Sequence, residues 1–175
     1  MLRSLVMTVI GEDRTGLVEF IASIVAEHNG NWMESRMSRL GGYFAGILRI
    51  EVPVANEAAL SKALGNLASH GLEVVVRSDA SKRQCPDAGK VRKVEIVGQD
   101  RPGIIRSISL ALAKRGVNLE ELHSERSSAA MSGETLFRAE ATLLLPSGCD
   151  VAGLQQDLEQ IAADLIVDVR IQEEA

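Results

Sequence analysis

The sequence predicts an α+β protein of two tandem ferredoxin-like units, each a βαββαβ run forming a four-stranded antiparallel sheet with two helices on one face. Three observations carry this. The stretch Gly98-Gln-Asp-Arg-Pro-Gly103 has an earlier copy, Gly11-Glu-Asp-Arg-Thr-Gly16, and the halves align at a constant offset of 87 from Gly11/Gly98 through Asn31/Asn118. Each copy closes a short alternating apolar run and opens an amphipathic one, so each reads as a strand turning into a helix. The segments that follow then repeat the order strand, strand, helix, strand.

Leu5 to Ile10 is rich in branched side chains and reads as a strand ended by Gly11. From Thr15 to His28, Leu17, Ile21, Ile24 and Val25 recur at helical spacing, and Asn29-Gly30 supplies a left-handed stop. Asn31 to Leu40, Gly41-Gly42 and the apolar run Tyr43 to Val52 make a hairpin that Pro53 ends. Glu57 to Ser69 puts Leu60, Leu64 and Leu67 on one helical face, and Leu72 to Arg77 is a last short strand. These elements define a first unit over residues 1–78.

Residues 79–90 are charged and poor in apolar side chains, which predicts a linker. The second unit, 91–175, starts with a strand from Val91 to Val97. A helix follows from Pro102 to Arg115, with Ile104, Ile108, Ala111 and Leu112 inward, Pro102 in its first turn and Gly116 as its stop. Asn118 to Arg126 is a strand, Ser127 to Gly133 a small-residue loop, and Glu134 to Leu145 alternates Phe137, Ala139 and Ala141 inward against Leu136, Arg138 and Glu140. Val151 to Ala163 forms a helix burying Val151, Leu154, Leu158 and Ile161, and Leu165 to Ile171 closes the sheet. Pro146 matches Pro53, so the second hairpin is six residues longer, and the loop between central strands absorbs the difference.

Hydrophobic residues make up 46% of the chain and aromatics 3%, so the cores are aliphatic. The net charge of -5, with neither half basic, disfavours phosphate-dominated nucleic-acid binding. Cys85 and Cys149 stand far apart with no His/Cys pattern around them, which argues against a zinc site and a disulfide framework. No apolar run reaches membrane-spanning length, and the expected location is cytoplasmic.

The chemistry concentrates at the two turns. Free N–H groups of a helix's first turn point outward there, and paired glycines let a small anion approach the main chain. Asp13 and Asp100 have two readings, contact with a ligand ammonium and N-capping of the helix behind them. Arg14 and Arg101 read as surface residues or as partners of neighbouring acids, and Asn31 and Asn118 as turn-to-strand residues carrying both a donor and an acceptor. His28, His70 and His123 have no duplicated partners, Trp32 reads as packing, and no catalytic constellation stands out.

A strand, Gly-x-Asp-Arg-x-Gly with an aliphatic helix behind it, then a Gly and an Asn leading into the second strand, resembles the ACT domain, a regulatory module that binds amino acids. The resemblance covers both halves. Among tandem pairs with no catalytic domain attached, the chain is most similar to the glycine cleavage system transcriptional repressor family. That resemblance implies a non-enzymatic regulator without a cofactor or metal, binding a small amino acid such as glycine. It implies a protein partner such as a transcriptional activator, rather than direct contact with nucleic acid or a membrane, and a homodimer. The implied ligand contacts are Gly11, Asp13, Arg14, Gly16 and Asn31, and Gly98, Asp100, Arg101, Gly103 and Asn118. In such domains the site is often shared across a domain interface. A ligand-free ACT module that dimerises and regulates an enzyme is the alternative.

Overall fold

Apolar alternation in the strands and three-to-four-residue spacing in the helices dictate a two-layer packing, and each half of the chain adopts it. The computed structural model describes residues 1–79, 89–128 and 135–173. Two compact units result, Met1–Gln84 and Cys85–Ala175. The expected linker lies outside the described residues except for Asp79, Gly89 and Lys90, as does the loop between central strands of the second unit beyond Ser128.

The first unit contains β1 (Leu2–Glu12), α1 (Leu17–Glu27), β2 (Asn31–Leu40), β3 (Tyr43–Pro53), α2 (Glu57–Gly65) and β4 (Leu72–Ser78). The second contains β5 (Lys90–Gln99), α3 (Ile104–Lys114), β6 (Asn118–Ser128), β7 (Thr135–Leu145), α4 (Val151–Leu165) and β8 (Val167–Glu173). Sheet order is β2-β3-β1-β4 in one and β6-β7-β5-β8 in the other, with every pairing antiparallel. This is the ferredoxin-like α+β arrangement, twice. Even the irregularities repeat: the edge strands β2 and β6 slip register between Trp32 and Glu34 and between Leu119 and Glu121, positions 87 apart.

Each core closes within its own unit. In the first, Leu5, Met7 and Val9 of β1 and Leu48, Ile50 and Val52 of β3 meet Leu17, Ile21 and Val25 of α1 and Leu60 and Leu64 of α2. In the second, Val94, Ile96, Ala139, Ala141 and Leu143 meet Ile104, Ile108, Ala111 and Leu112 of α3 and Leu154 and Leu158 of α4. The predicted inward positions of α3 and β7 are the buried ones. On α4, Leu154 and Leu158 are buried as predicted, Ile161 is partly buried, and Val151, the first helical residue, is 38% exposed.

Boundaries shift in informative ways. Gly11 and Gly98 lie inside their strands, still paired with Phe44 and Phe137. Their lack of a side chain makes room for the neighbouring strand: a Cβ on Gly11 would sit 2.5 Å from the Gly71 carbonyl oxygen, and one on Gly98 would sit 2.6 Å from the Val167 Cα. Pro102 precedes the helix, whose N-cap is Gly103. The α2 helix tightens into a 3-10 turn over Asn66–His70, which keeps Leu67 buried. In the second unit Arg115, at the end of α3, bonds Asp157 and Asp150 of the α4 region at 2.9 Å each, tying the two helices together. Gly71 and Ile166, the residues before β4 and β8, both have left-handed backbones, with φ of 75° and 56°.

Candidate functional site

Each duplicated turn sits where β1 or β5 leaves the sheet, beside the β2–β3 turn in the first unit and the start of β7 in the second. The backbone is pinned there: the Asp13 N–H donates to the Gly42 carbonyl and the Asp100 N–H to the Thr135 carbonyl, both at 2.9 Å. Gly16 and Gly103 then take φ of 91° and 97° as N-caps of α1 and α3. Only glycine enters that region without strain. Their carbonyls accept the first intrahelical bonds, from Phe20 and Ser107 at 2.9 Å. No side chain caps either helix, and a Cβ on either glycine would meet nothing within 4 Å, so the first-turn N–H groups have no side-chain acceptor at the cap.

The aspartates are therefore not caps. They sit three residues ahead of the capping glycine, and their carboxylates turn instead to the hairpin. Arg39 Nε lies 3.0 Å from Asp13 Oδ2, and Arg126 Nε lies 2.8 Å from Asp100 Oδ2. Arg39 and Arg126 are themselves 87 positions apart, so each unit carries the same ion pair across the same gap. The aspartate side chains remain 29% and 25% exposed, so solvent and small solutes reach them. These arginines escaped the sequence reading, although extending the offset beyond Asn31/Asn118 exposes the pair.

The turns differ in their other neighbours. Arg14 Nη2 donates to the His70 carbonyl at 2.9 Å, bracing the first turn against the lead into β4, while the His70 ring tilts against Phe20 with centroids 5.2 Å apart. Among the described residues, Arg101 Nη2 donates only to Gln99 Oε1, at 3.1 Å, in an exposed contact. The first turn of α1 carries Glu19, whereas α3 has no acid in its first turn. A negative charge at a helix N-terminus competes with an incoming anion, so the second turn is the more receptive to a carboxylate.

Asn31 and Asn118 are not brought to these turns within their own units. Asn31 pairs through Glu51 with Ser4, and Asn118 through Leu144 with Val91, seven residues along the strand from Gly11 and Gly98 respectively. At about 3.3 Å per residue that is roughly 23 Å. Asn31 Nδ2 instead faces Met33 Sδ at 3.2 Å, and Asn118 Nδ2 donates to Glu120. Trp32 packs against the first core, and His28 Nδ1–H donates to the Ile24 carbonyl at 2.8 Å. Among the described residues no group of three His, Cys, Asp or Glu side chains is placed to hold a metal, and no helix is long and apolar enough to cross a membrane.

Known proteins share this architecture. The ACT-domain family model matches residues 3–77. The UPF0237 protein of Methanocaldococcus jannaschii is 32% identical over 77 residues, covering 42% of this chain and 86% of that protein. This chain belongs to the ACT-domain family. The second ACT unit, beyond the matched residues, follows from the repeated element order and sheet topology. A protein of unknown function from Galdieria sulphuraria shares the whole tandem arrangement, with a TM-score of 0.86 and 26% identity over 100% of both chains. The structure of a protein assigned as a glycine cleavage system transcriptional repressor superposes with a TM-score of 0.70 over 98% of this chain and 97% of that one; at 18% identity this speaks to fold alone.

Proposed function

We propose that this tandem ACT protein is a non-enzymatic regulator that senses a small amino acid at its helix-terminal turns. The observation that carries the reading is the duplicated Asp–Arg pair set beside uncapped helix N-terminal N–H groups. Such a turn offers a zwitterion everything it needs. The helix N–H groups and the guanidinium are donors for a carboxylate, and the aspartate oxygens accept from an ammonium. A bound amino acid would exchange the internal ion pair for two ionic contacts of its own.

The turn of the second unit is the stronger site on this reading, since Arg101 is bound only at the surface and no first-turn acid opposes the ligand. Asn31 or Asn118 would join only across an interface between domains. A role in controlling glycine breakdown is part of the same proposal; a protein assigned as a glycine cleavage system transcriptional repressor has this tandem fold. The net charge of -5 favours action on a protein partner such as a transcriptional activator over direct DNA contact. Ligand would act by binding one arrangement of the protein better than another.

Calorimetric titration with glycine, serine and other amino acids tests the proposal. Saturable binding weakened about tenfold or more by Asp100→Asn is the expected result. Absence of heat with every amino acid would leave an ACT module that works through protein contacts alone.

A further inference from the structure

The two units fill the space between their first helix and their edge strand by different means. On the helix-covered face of the first sheet, one cross-strand row reads Ser35, Leu48 and Met7 over β2, β3 and β1; the matching row of the second reads Leu122, Ala141 and Val94 over β6, β7 and β5. Leu48 and Met7 are enclosed, at 1% and 0% exposure, so the first unit fills this row from within. Ala141 and Val94 are smaller, and the missing bulk comes from Leu122 on the edge strand, which is 42% exposed. At the neighbouring bulge, Trp32 packs on the first core, whereas its counterpart Leu119 is shorter and 36% exposed. Ile96, Ile105 and Leu112 each return one methylene relative to Val9, Val18 and Val25. An apolar slot of about 10 Å³, the room of one water molecule, nevertheless remains between α3 and β6, among Leu112, Leu119, Leu122 and Ala141. Close-packed interiors leave few such voids, and this one is roofed by two exposed side chains whose rotamers exchange rapidly.

We propose that this slot is a binding site for a small uncharged aromatic molecule, which enters as Leu122 and Leu119 swing outward into solvent. An aromatic ring is the occupant because the same scaffold seats the indole of Trp32 over the matching part of the first core. It is uncharged because Ser109 is the only polar residue among the described ones that line the slot, so a charge there would be buried unpaired. The Ser109 hydroxyl, on an exposed residue, offers an acceptor to a ring N–H. Moving the two leucines costs little, since both are already partly hydrated. The ring gains contact with Ile108, Leu143 and Leu158, all of them buried. The slot is separate from the duplicated turn: Val94 lies four residues along β5 from Gly98, roughly 13 Å away.

Titration of the full chain with indole, followed by amide chemical shifts, tests this. Saturable binding is expected, with the perturbed amides in α3, β6 and β7 rather than in the first unit. Leu122→Ser removes the roof at an exposed position and should tighten binding about threefold or more. Leu122→Ser combined with Ala141→Leu rebuilds the row of the first unit; it conserves total volume, so the fold survives, and it should weaken indole binding about tenfold or more. Circular dichroism checks that both variants fold. Glycine is expected not to compete. A wild type without saturable binding, shifts confined to the first unit, or affinity that survives the rebuilt row overturns the proposal. Competition by glycine overturns it as well, because the ring would then sit at a turn. Glycine affinity is measured apart from all of these, so the amino-acid reading stands or falls on its own.

Discussion

Arg126, at the end of an edge strand, lies 2.8 Å from the carboxylate of Asp100 in the turn that opens α3, and Arg39 repeats the relationship with Asp13. An exposed pair of this kind contributes little to stability, about 0.2–1 kcal/mol. Its duplication is better explained by what it presents to solvent. Arg126→Gln should therefore move the urea midpoint only slightly while reducing the affinity for glycine about tenfold, since a charged donor to the ligand carboxylate is lost. A large loss of stability with unchanged affinity would make the pair structural.

The two kinds of glycine at each turn respond differently to alanine. Gly103→Ala places a side chain in open space but at a φ of 97°, so the cost is conformational, about 1–2 kcal/mol. Gly98→Ala drives a Cβ into the β8 backbone and must displace that strand, which costs about 3 kcal/mol or more. Chemical denaturation of both variants, reading the second unit, orders them; the reverse order would contradict the placement of Gly98 within the sheet.

Acid weakens the second unit through Asp150. The Gly153 N–H and the Arg115 guanidinium both hold its carboxyl below the usual aspartate range. A depressed carboxylate contributes stability that is fully present above its unfolded value of about 3.9 and is lost as pH falls through the lower folded value. Arg115, raised by Asp157 and Asp150, loses its contribution only well into the alkaline range. Asp150→Ala should thus lower the melting midpoint at neutral pH, and its difference from wild type should shrink in strong acid. A difference independent of pH would remove the ionised carboxylate from the account.

Separate cores predict separable damage. Ile50 is fully buried in the first unit, and Ile50→Ala should cost about 2–5 kcal/mol there. Amide exchange should accelerate through β1 and β3 while β5 and β7 stay protected. Equal loss of protection in both units would show that they unfold as one.

Periodicity made the helices and their buried faces legible: Ile104, Ile108, Ala111 and Leu112 are inward for the reason the spacing gives. Alternation did the same for Phe137, Ala139 and Ala141. What escaped depends on contacts distant in sequence. Asp13 reads as a cap until Arg39, 26 residues on, is seen to hold it, and Gly11 reads as a turn until β4 is placed beside it. Asn31 can meet such a turn only across an interface, because helix α1 carries the chain to the other end of the sheet before β2 begins.

Gly71 and Ile166 occupy matching places, each lending its carbonyl to the space left by Gly11 or Gly98, and each in the left-handed region. Isoleucine is poorly suited to that backbone, and at 61% exposure it gains little in return. The first copy has glycine where the second has isoleucine, and Ile166→Gly should recover roughly 1 kcal/mol. A duplicated gene product carries its own consensus: wherever the halves disagree, one is a ready template for repairing the other.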